Sequence, residues 1–252
     1  MRLLIIAHLP AAALLALGHP LTSFAALFAA HLFLLAGTLI PSTRFFGPVV
    51  TSFQPSDNEL WLTFDDGPSP ETTPATLDLL DAHGARATFF LIGNLATAHP
   101  GLVRSILDRG HTIANHTQSH PAKSFWRLPP TRIHNEIATC QQTLSPTPRL
   151  FRAPAGMKNP FVHPCLKKLG LHLIGWSARG FDGSITNPDR ILARILPQLH
   201  PGAIVLLHEG RPTTLECTRR LLEALDKQNL TCQIPLQYDQ KPLGTSQSPN
   251  YP

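Results

Sequence analysis

The amino-acid sequence predicts an α/β fold of parallel strands and helices that follows an apolar N-terminal region. Three observations lead to this prediction. Between residues 58 and 235, short apolar, β-prone runs alternate with longer runs of helical periodicity. Polar and titratable residues directly follow several strand-like runs, as they do at the carboxyl ends of parallel strands. From Leu3 to Thr43 the chain carries no Asp, Glu, Lys or Arg.

The charge-free region, residues 1–43, predicts a membrane anchor. Residues 3–17 form a first apolar arm, a Gly-His-Pro sequence breaks it, and residues 21–40 form a second arm. The second arm is long enough to cross a bilayer, which needs about 20 apolar residues. A signal peptide followed by an anchor is the competing interpretation, but the break lacks an A-x-A-like cleavage site. We therefore predict a membrane hairpin, whose orientation stays open because Arg2 and Arg44 flank it with equal charge.

The α/β region is preceded by residues 44–57, a proline-bearing segment that we predict to be a linker. Apolar and aromatic runs predict seven strands, at 60–64, 87–92, 112–115, 150–152, 171–176, 203–207 and 230–234. Helical spacing of apolar residues predicts six helices, at about 72–83, 94–109, 131–143, 160–169, 188–199 and 213–227. This alternation predicts parallel β/α units, arranged as a barrel or an open sheet. The polar tail, residues 236–252, is predicted to be disordered.

Composition excludes some classes of function. The net charge of +5 is modest and comes with no dense cluster of Lys or Arg, so we expect no nucleic-acid partner. The four cysteines contain no C-x-x-C pair, which argues against a zinc ribbon or a thioredoxin-like site. Two disulfides are possible in an oxidising compartment, but we favour small buried core residues. The cysteines are Cys140, Cys165, Cys217 and Cys232.

The strand at 60–64 ends in two adjacent carboxylates, Asp65 and Asp66, before a Gly-Pro turn. A carboxylate that is buried needs a partner or a metal. Because functional groups of α/β folds lie at the carboxyl ends of parallel strands, we predict that this strand delivers both groups to a pocket. A solvated Asp-Gly-Pro turn is the alternative interpretation.

Further polar side chains follow later strands. His116 and His120 are four residues apart, so a helical turn would place both imidazoles on one side. With one carboxylate they would form a three-ligand metal site with open positions for water and substrate. Arg152 can keep a carboxylate ionised by charge and hydrogen bonding, although a solvated surface arginine is the alternative. His208, directly after the strand at 203–207, suits a general acid.

In chain order, Thr-Phe-Asp-Asp-Gly-Pro, His-x-x-x-His, Arg-x-Pro-x-Gly, Trp-Ser-x-x-x-x-Asp and Leu-x-His are similar to the motifs of a known family. Over roughly residues 58–235 the chain resembles the polysaccharide deacetylase family, the NodB-homology domain of carbohydrate esterase family 4. The resemblance implies a distorted (β/α)7 barrel and a divalent metal, most often zinc. It implies the metal ligands Asp66, His116 and His120.

The same resemblance implies further roles. Asp65 would be the general base, Arg152 its partner and His208 the general acid. Leu206 would line the pocket of the acetyl methyl group, and Trp176 would contact the substrate.

Two positions depart from the family pattern. Where an aromatic residue usually follows the proline of the third motif, this chain has Ala155. The backbone N–H that would face an oxyanion is retained, but the sugar-facing wall is more open. In the fourth motif the family often has an Asp near Arg179 and a Trp at Gly183. We therefore hypothesise that Asp182 supports His208.

The sequence thus predicts a metal-dependent hydrolase that removes N-acyl, and specifically N-acetyl, groups from amino sugars of a cell-envelope polysaccharide such as peptidoglycan. In this hypothesis the membrane-anchored catalytic domain lies on the outer side. A cytosolic orientation would instead favour deacylation or deformylation of a lipid-linked amino sugar. The third hypothesis is a non-catalytic glycan-binding module, whose signature would be a missing ligand or base.

Overall fold

The computed structural model describes residues 2–238, with side chains described from His8 onward. At the N-terminus, helices α1 (Arg2–Ala16) and α2 (Pro20–Leu39) pack against each other as a hairpin. Three residues connect the two helices, and the second begins at a proline, whose restricted φ suits the first helical turn. The two apolar arms of the sequence therefore form two helices in contact.

Helix α2 is long and apolar enough to cross a membrane, judged by its length and composition alone. Within the described part of the chain, no other helix meets this criterion, since α1 has only 15 residues and contains Pro10. Most of α2 faces away from the protein, and only 17% of its most apolar window is buried. Its exposed large apolar side chains are Leu21, Phe24, Phe28, Leu32, Phe33, Leu35 and Leu39.

The α/β region contains one parallel sheet. Its strands are β1 (Glu59–Gly67), β2 (Ala87–Leu91), β3 (Thr112–Asn115), β4 (Leu150–Phe151), β5 (His172–Leu173), β6 (Ala178–Arg179), β7 (Ile204–His208) and β8 (Thr231–Cys232). The strand order is β5-β4-β3-β2-β1-β7-β6, and β8 pairs with the start of β1. Every pairing between these strands is parallel.

The sheet differs from the predicted (β/α)7 barrel in two ways. It has eight strands in the described region, because the pair Ala178–Arg179 forms a short strand beside β7 that the sequence did not indicate. It is also curled and open, because no described strand pair joins β5 to β6.

Helices separate most of the strands. They are α3 (Thr73–Ala82), α4 (Gly93–Ala98), α5 (Pro100–Asp108), α6 (Pro130–Thr143), α7 (Val162–Leu169), α8 (Pro188–Ile195) and α9 (Thr214–Lys227). The helix predicted at 94–109 is divided in two, since Pro100 cannot continue the preceding helix and instead begins the next one. The last residues of the helix predicted at 188–199 form a 3₁₀ turn, Leu196–Gln198.

Part of the segment predicted as a linker, residues 44–57, packs into the sheet. Val50 forms a parallel bridge with Ile174 beyond β5, and Ser52 forms an antiparallel bridge with Ala203 before β7. Val49 and Phe53 are buried. This segment therefore joins the two sides of the sheet at its opening.

The described part of the chain ends at Tyr238. Residues Leu236–Tyr238, the start of the predicted disordered tail, form a 3₁₀ turn, and the ring of Tyr238 stacks on Trp61 at 5.3 Å between centroids. Residues 239–252 of that prediction lie outside the described residues. All four cysteines are buried free thiols, as the preferred interpretation of the sequence expects.

Alternation along β1 separates the two faces of the sheet. Leu60, Leu62 and Phe64 belong to the apolar core beneath the outer helices, whereas Trp61 lies in the cluster inside the curl. Because side chains of a strand alternate, Thr63 and Asp65 share the inner face with Trp61. The inner face at the carboxyl ends of the strands is where the candidate site lies.

Candidate active site

The two carboxylates at the end of β1 reach the same pocket because the strand is irregular there. The side chains of consecutive strand residues normally point to opposite faces of the sheet. In a regular strand the Asp66 side chain would therefore point away from the pocket that contains the Asp65 side chain. The pairing of β1 with β2 shifts between Asp65 and Gly67, and Asp66 has a φ of 70°. This bulge turns the Asp66 carboxylate back toward the inner face. The alternative of a solvated turn is wrong, because Asp65 is 4% exposed.

Arg152 is fully buried beneath the pocket and is tied down by four hydrogen bonds. Its Nη1 donates to Asp65 Oδ1 at 2.7 Å and to Thr63 Oγ1 at 2.9 Å. Its Nε and Nη2 donate to the carbonyl oxygens of Ile174 at 3.2 Å and Gly175 at 2.9 Å. Burial lowers the pKa of Arg152, but a guanidinium keeps its charge in proteins. The alternative of a solvated surface arginine is therefore wrong.

His116 and His120 converge on Asp66, although not through the helical turn that their spacing suggested. The segment is a loop in which Thr117 and His120 have φ values of 71° and 53°. The backbone N–H of Thr117 donates to Asn115 Oδ1 at 3.0 Å, and that of His120 donates to Thr117 Oγ1 at 3.1 Å. Short polar side chains thus support backbone conformations that are otherwise unfavourable for residues with a Cβ.

Three side chains of this loop and β1 lie close enough together for one metal ion to contact all three. Asp66 Oδ1 lies 3.5 Å from His116 Nε2 and 3.2 Å from His120 Nε2. One ligand atom from each of the three lies within 4.8 Å of the others. Tetrahedral ligands at about 2.0–2.1 Å from Zn²⁺ would be separated by roughly 3.3–3.5 Å. Asp66 Oδ1 is also buried without a hydrogen-bond partner. The residues present therefore fit a divalent ion.

The pKa shifts of Asp66 and His120 favour the protonation states that bind a metal ion. Burial raises the pKa of Asp66, but the neighbouring imidazoles of His116 and His120 outweigh burial and lower the pKa well below its usual range. Burial, together with the neighbouring His116, lowers the pKa of His120 to about 4. Neutral imidazole and ionised carboxylate are the forms that bind metals. The Nδ1 atom of His116 lies 2.8 Å from the Arg152 carbonyl oxygen, which orients Nε2 toward Asp66.

His208 stands at the end of β7, directly beside Asp65 in the register of β1 and β7. Its ring Nδ1 lies 2.9 Å from Asp182 Oδ1. Burial lowers the pKa of His208, but the hydrogen bond and charge of Asp182 raise it more, so the net shift is upward. His208 and Asp182 are thus a hydrogen-bonded pair in which the carboxylate favours the protonated form of the histidine.

Three predicted substrate contacts lie around these groups. Leu206 is buried on β7 and, by strand alternation, shares a face with His208. Ala155 is exposed in a 3₁₀ turn with a φ of 53°. Trp176 packs beside this turn, since a Cβ added to Gly156 would lie 2.5 Å from its ring.

The structure adds two residues that the sequence analysis did not identify. Arg211 Nη2 donates to Asp66 Oδ2 at 2.7 Å, opposite the oxygen that faces the histidines. Glu209 is buried, its Oε1 accepts a hydrogen bond from Thr73 Oγ1 at 2.5 Å, and burial raises its pKa to about 8. Both follow His208 within three residues, which is the one signal in the sequence that could have indicated them.

The chain resembles known proteins over this region. A family model for polysaccharide deacetylases matches residues 53–174. The chain is 42% identical over 161 residues to a chitooligosaccharide deacetylase of Bradyrhizobium sp., covering 61% of this chain and 71% of the relative. It is 35% identical over 175 residues to a peptidoglycan-N-acetylglucosamine deacetylase of Bacillus cereus, covering 66% of this chain and 81% of the relative.

A solved structure supports the same assignment. The family 4 carbohydrate esterase from Streptomyces lividans matches with a TM-score of 0.65 and 32% sequence identity, covering 71% of this chain and 93% of that chain. The fold, the order of the motifs and these relatives agree. The chain belongs to the polysaccharide deacetylase family of hydrolases.

Proposed function

We propose that this protein is a metal-dependent deacetylase that removes N-acetyl groups from amino sugars of a cell-envelope glycan. One observation carries the proposal: the pairs Asp65–Arg152 and His208–Asp182 flank a cluster of three metal-ligand side chains. The named relatives act on chitooligosaccharide and on peptidoglycan N-acetylglucosamine. Both names describe glycans that carry N-acetyl groups.

Asp66, His116 and His120 are the residues that would hold the ion, and zinc suits two imidazoles and a carboxylate. A divalent ion there would supply Lewis-acid activation of water and of the substrate carbonyl. Arg211 would keep the Asp66 carboxylate oriented, because it binds the oxygen that does not face the histidines.

Asp65 is the proposed general base. Arg152 donates a 2.7 Å hydrogen bond to Asp65 Oδ1 and positions that oxygen, while Oδ2 faces the cluster, 3.7 Å from His116 Nε2. Asp65 would take the proton of the attacking water. His208 is the proposed general acid, which would donate a proton to the amine nitrogen as the carbon–nitrogen bond breaks. Asp182 favours the protonated form of His208 that this step needs.

The remaining proposed contacts are with the substrate. The Ala155 backbone N–H would donate to the developing oxyanion. Leu206 would contact the acetyl methyl group, and the Trp176 ring would contact the sugar. Because Ala155 presents only a methyl group, the wall of the pocket beside it accommodates a broader substrate than an aromatic side chain would.

A second candidate substrate is a lipid-linked N-acylated amino sugar at the membrane. A specific observation favours it: Pro41, two residues beyond α2, packs on Gly156 in the turn that carries Ala155. The apolar helix therefore ends at the rim of the pocket. In this alternative the membrane anchor presents the site to a substrate held at the bilayer surface, whichever side the domain occupies.

The test is acetate release by the full chain in detergent, stripped of metal and reloaded with zinc. N-acetylglucosamine oligomers serve as substrate, and Asp65→Asn serves as the matched inactive variant. Acetate release that requires both zinc and Asp65 supports the proposal. Bound zinc without release from the oligomers or from a lipid-linked N-acetyl sugar would favour a non-catalytic glycan-binding module.

A further inference from the structure

A groove lies between the end of α2 and the mouth of the candidate active site. Its volume is about 440 Å³. Its lining includes Pro41, Trp176, Arg179, Phe181 and Arg194. Trp176 lines the groove, and its ring centroid lies 5.7 Å from Cζ of Arg152, the partner of Asp65, so a ligand in the groove would lie next to a sugar that contacts Trp176.

The groove is positively charged. Two arginines line it and no carboxylate does. Arg179 Cζ lies 3.9 Å from the centroid of the Phe181 ring, and Arg194 Cζ lies 5.3 Å from the same ring. Within the described residues, neither guanidinium takes part in an ion pair. The nearby carboxylate of Asp182 is engaged by His208.

One of these arginines also has unused hydrogen-bonding capacity. Arg179 Nε is buried and has no hydrogen-bond partner. A buried N–H donor without a partner costs free energy, which an acceptor on a ligand would recover.

The α2 end of the groove is held firmly. Lys158 is fully buried, and its Nζ donates to the carbonyl oxygens of Ile40 at 3.1 Å and Pro41 at 2.8 Å. Its backbone N–H donates to Thr38 O at 3.2 Å. These bonds satisfy carbonyl groups at the helix end that no further helical turn can reach. The apolar helix and the basic groove therefore keep one relative position.

We propose that this groove binds a phosphate group attached to the amino-sugar substrate. The proposal rests on the proposed deacetylase function and names the substrate class: an N-acylated amino sugar carrying a phosphate ester. Guanidinium groups bind phosphate oxygens through charge-assisted and bidentate hydrogen bonds. The two aromatic rings beside them offer apolar faces for the sugar. A phosphate in this groove lies next to the end of α2, where a lipid carrier of the same phosphate would enter the bilayer.

The experiment compares three substrates on the full chain in nanodiscs. They are a neutral N-acetylglucosamine oligomer, soluble N-acetylglucosamine 1-phosphate, and N-acetylglucosamine linked by diphosphate to a short prenyl alcohol. Arg194→Gln removes a groove guanidinium, and Arg190→Gln removes an exposed charge from the same helix without touching the groove. We expect Arg194→Gln to raise KM for both phosphate-bearing sugars about tenfold, as loss of one charged hydrogen bond would.

The KM values for the neutral oligomer and for the control variant distinguish the possible outcomes. The neutral oligomer should keep its KM in Arg194→Gln, and Arg190→Gln should leave all three substrates unchanged. A lower KM for the prenyl-linked sugar than for the soluble phosphate assigns the phosphate to a lipid carrier, whereas equal values assign it to a soluble sugar phosphate. Equal effects of the two variants, or turnover of the neutral oligomer alone, would overturn the proposal while leaving the deacetylase function intact.

If the protein turns over none of the three substrates, a binding measurement tests the phosphate site instead. Calorimetry with N-acetylglucosamine 1-phosphate is then carried out on Asp65→Asn with and without Arg194→Gln. If Asp65→Asn binds the sugar phosphate and the double variant with Arg194→Gln does not, the phosphate site is supported even though the deacetylase function has failed. Absence of binding, or binding that does not depend on Arg194, overturns it. A larger effect of Arg194→Gln on the binding of an N-acetylmuramic acid oligomer would show that the groove prefers a carboxylate, and this result would overturn the phosphate proposal.

Discussion

Asp182 accepts two hydrogen bonds from His208, one from the backbone N–H at 2.7 Å and one from ring Nδ1 at 2.9 Å. The two bonds use different carboxylate oxygens, so they hold the backbone and the ring of the histidine at once. Nδ1 therefore points to Asp182 and leaves Nε2 for the pocket. The pair is assembled across 26 residues of chain, from the end of β7 and the loop after β6.

The first prediction concerns pH dependence. If His208 is the general acid, activity requires its protonated form and is lost as pH rises through its pKa. Asp182 raises that pKa, so Asp182→Asn should move the alkaline limb of kcat to lower pH. The measurement is kcat between pH 5 and 10, with roughly tenfold or greater loss expected on the alkaline side. An unchanged alkaline limb would mean that Asp182 does not tune the acid.

The second prediction separates the base from the metal ligands. Asp65→Asn should lower kcat about 100- to 10,000-fold, because an amide cannot accept the proton of water. Zinc content should stay unchanged, since Asp66, His116 and His120 are intact. Elemental analysis and acetate release on the same preparation test both statements. Loss of zinc together with activity would indicate that Asp65 is itself a ligand.

The third prediction concerns the buried ion pair. Arg152→Met should destabilise the protein by about 3–5 kcal/mol, because it leaves Asp65 buried without its cationic partner. Adding Asp65→Asn to Arg152→Met should recover part of that loss, because the uncompensated charge is then removed. Thermal unfolding followed by tryptophan fluorescence provides the comparison. Additive effects of the two substitutions would argue against coupling between the residues.

The fourth prediction concerns Arg211. Arg211→Gln should weaken metal binding about 10- to 100-fold, as expected when a partner that orients a ligand carboxylate is removed. Competition with a chelator of known affinity measures this change. Arg220→Gln is the control, because Arg220 pairs with Asp189 and contacts no proposed ligand. Equal affinities of the two variants would remove Arg211 from the metal site.

The fifth prediction concerns stability in acid. Burial lowers the pKa of His111 to about 4, and its Nδ1 accepts a hydrogen bond from the Ala87 N–H at 3.2 Å. The unfolded chain binds a proton near pH 6.5 that the folded protein resists until about pH 4, so stability falls as pH drops through this window. The shift corresponds to at most about 3 kcal/mol. His111→Asn should flatten this pH dependence in thermal unfolding, and an unchanged slope would contradict the assignment.

Local patterns predicted much of the sheet. The strands β1, β2, β3 and β7 and the helices between them follow from runs of apolar residues with a period of two or 3.6, because burial imposes those periods on single segments. The two-residue strand Ala178–Arg179 carries no such period and depends on pairing with Val205 and Leu206 of β7. The bulge at Asp66 likewise could not be predicted from the sequence, because it is defined by the register of β1 against β2.

The sequence by itself determined the family, the order of the polar groups at the strand ends and the residue types available for a metal site. These features depend on short, contiguous patterns and can be recognised without contacts. Only the tertiary structure decided which groups meet. Arg152 contacts Asp65 across 87 residues, Arg211 contacts Asp66 across 145, and Lys158 contacts Ile40 across 118. Such pairs arise from the curling of the sheet and the packing of α2 on its rim, because charge and burial act through space rather than along the chain.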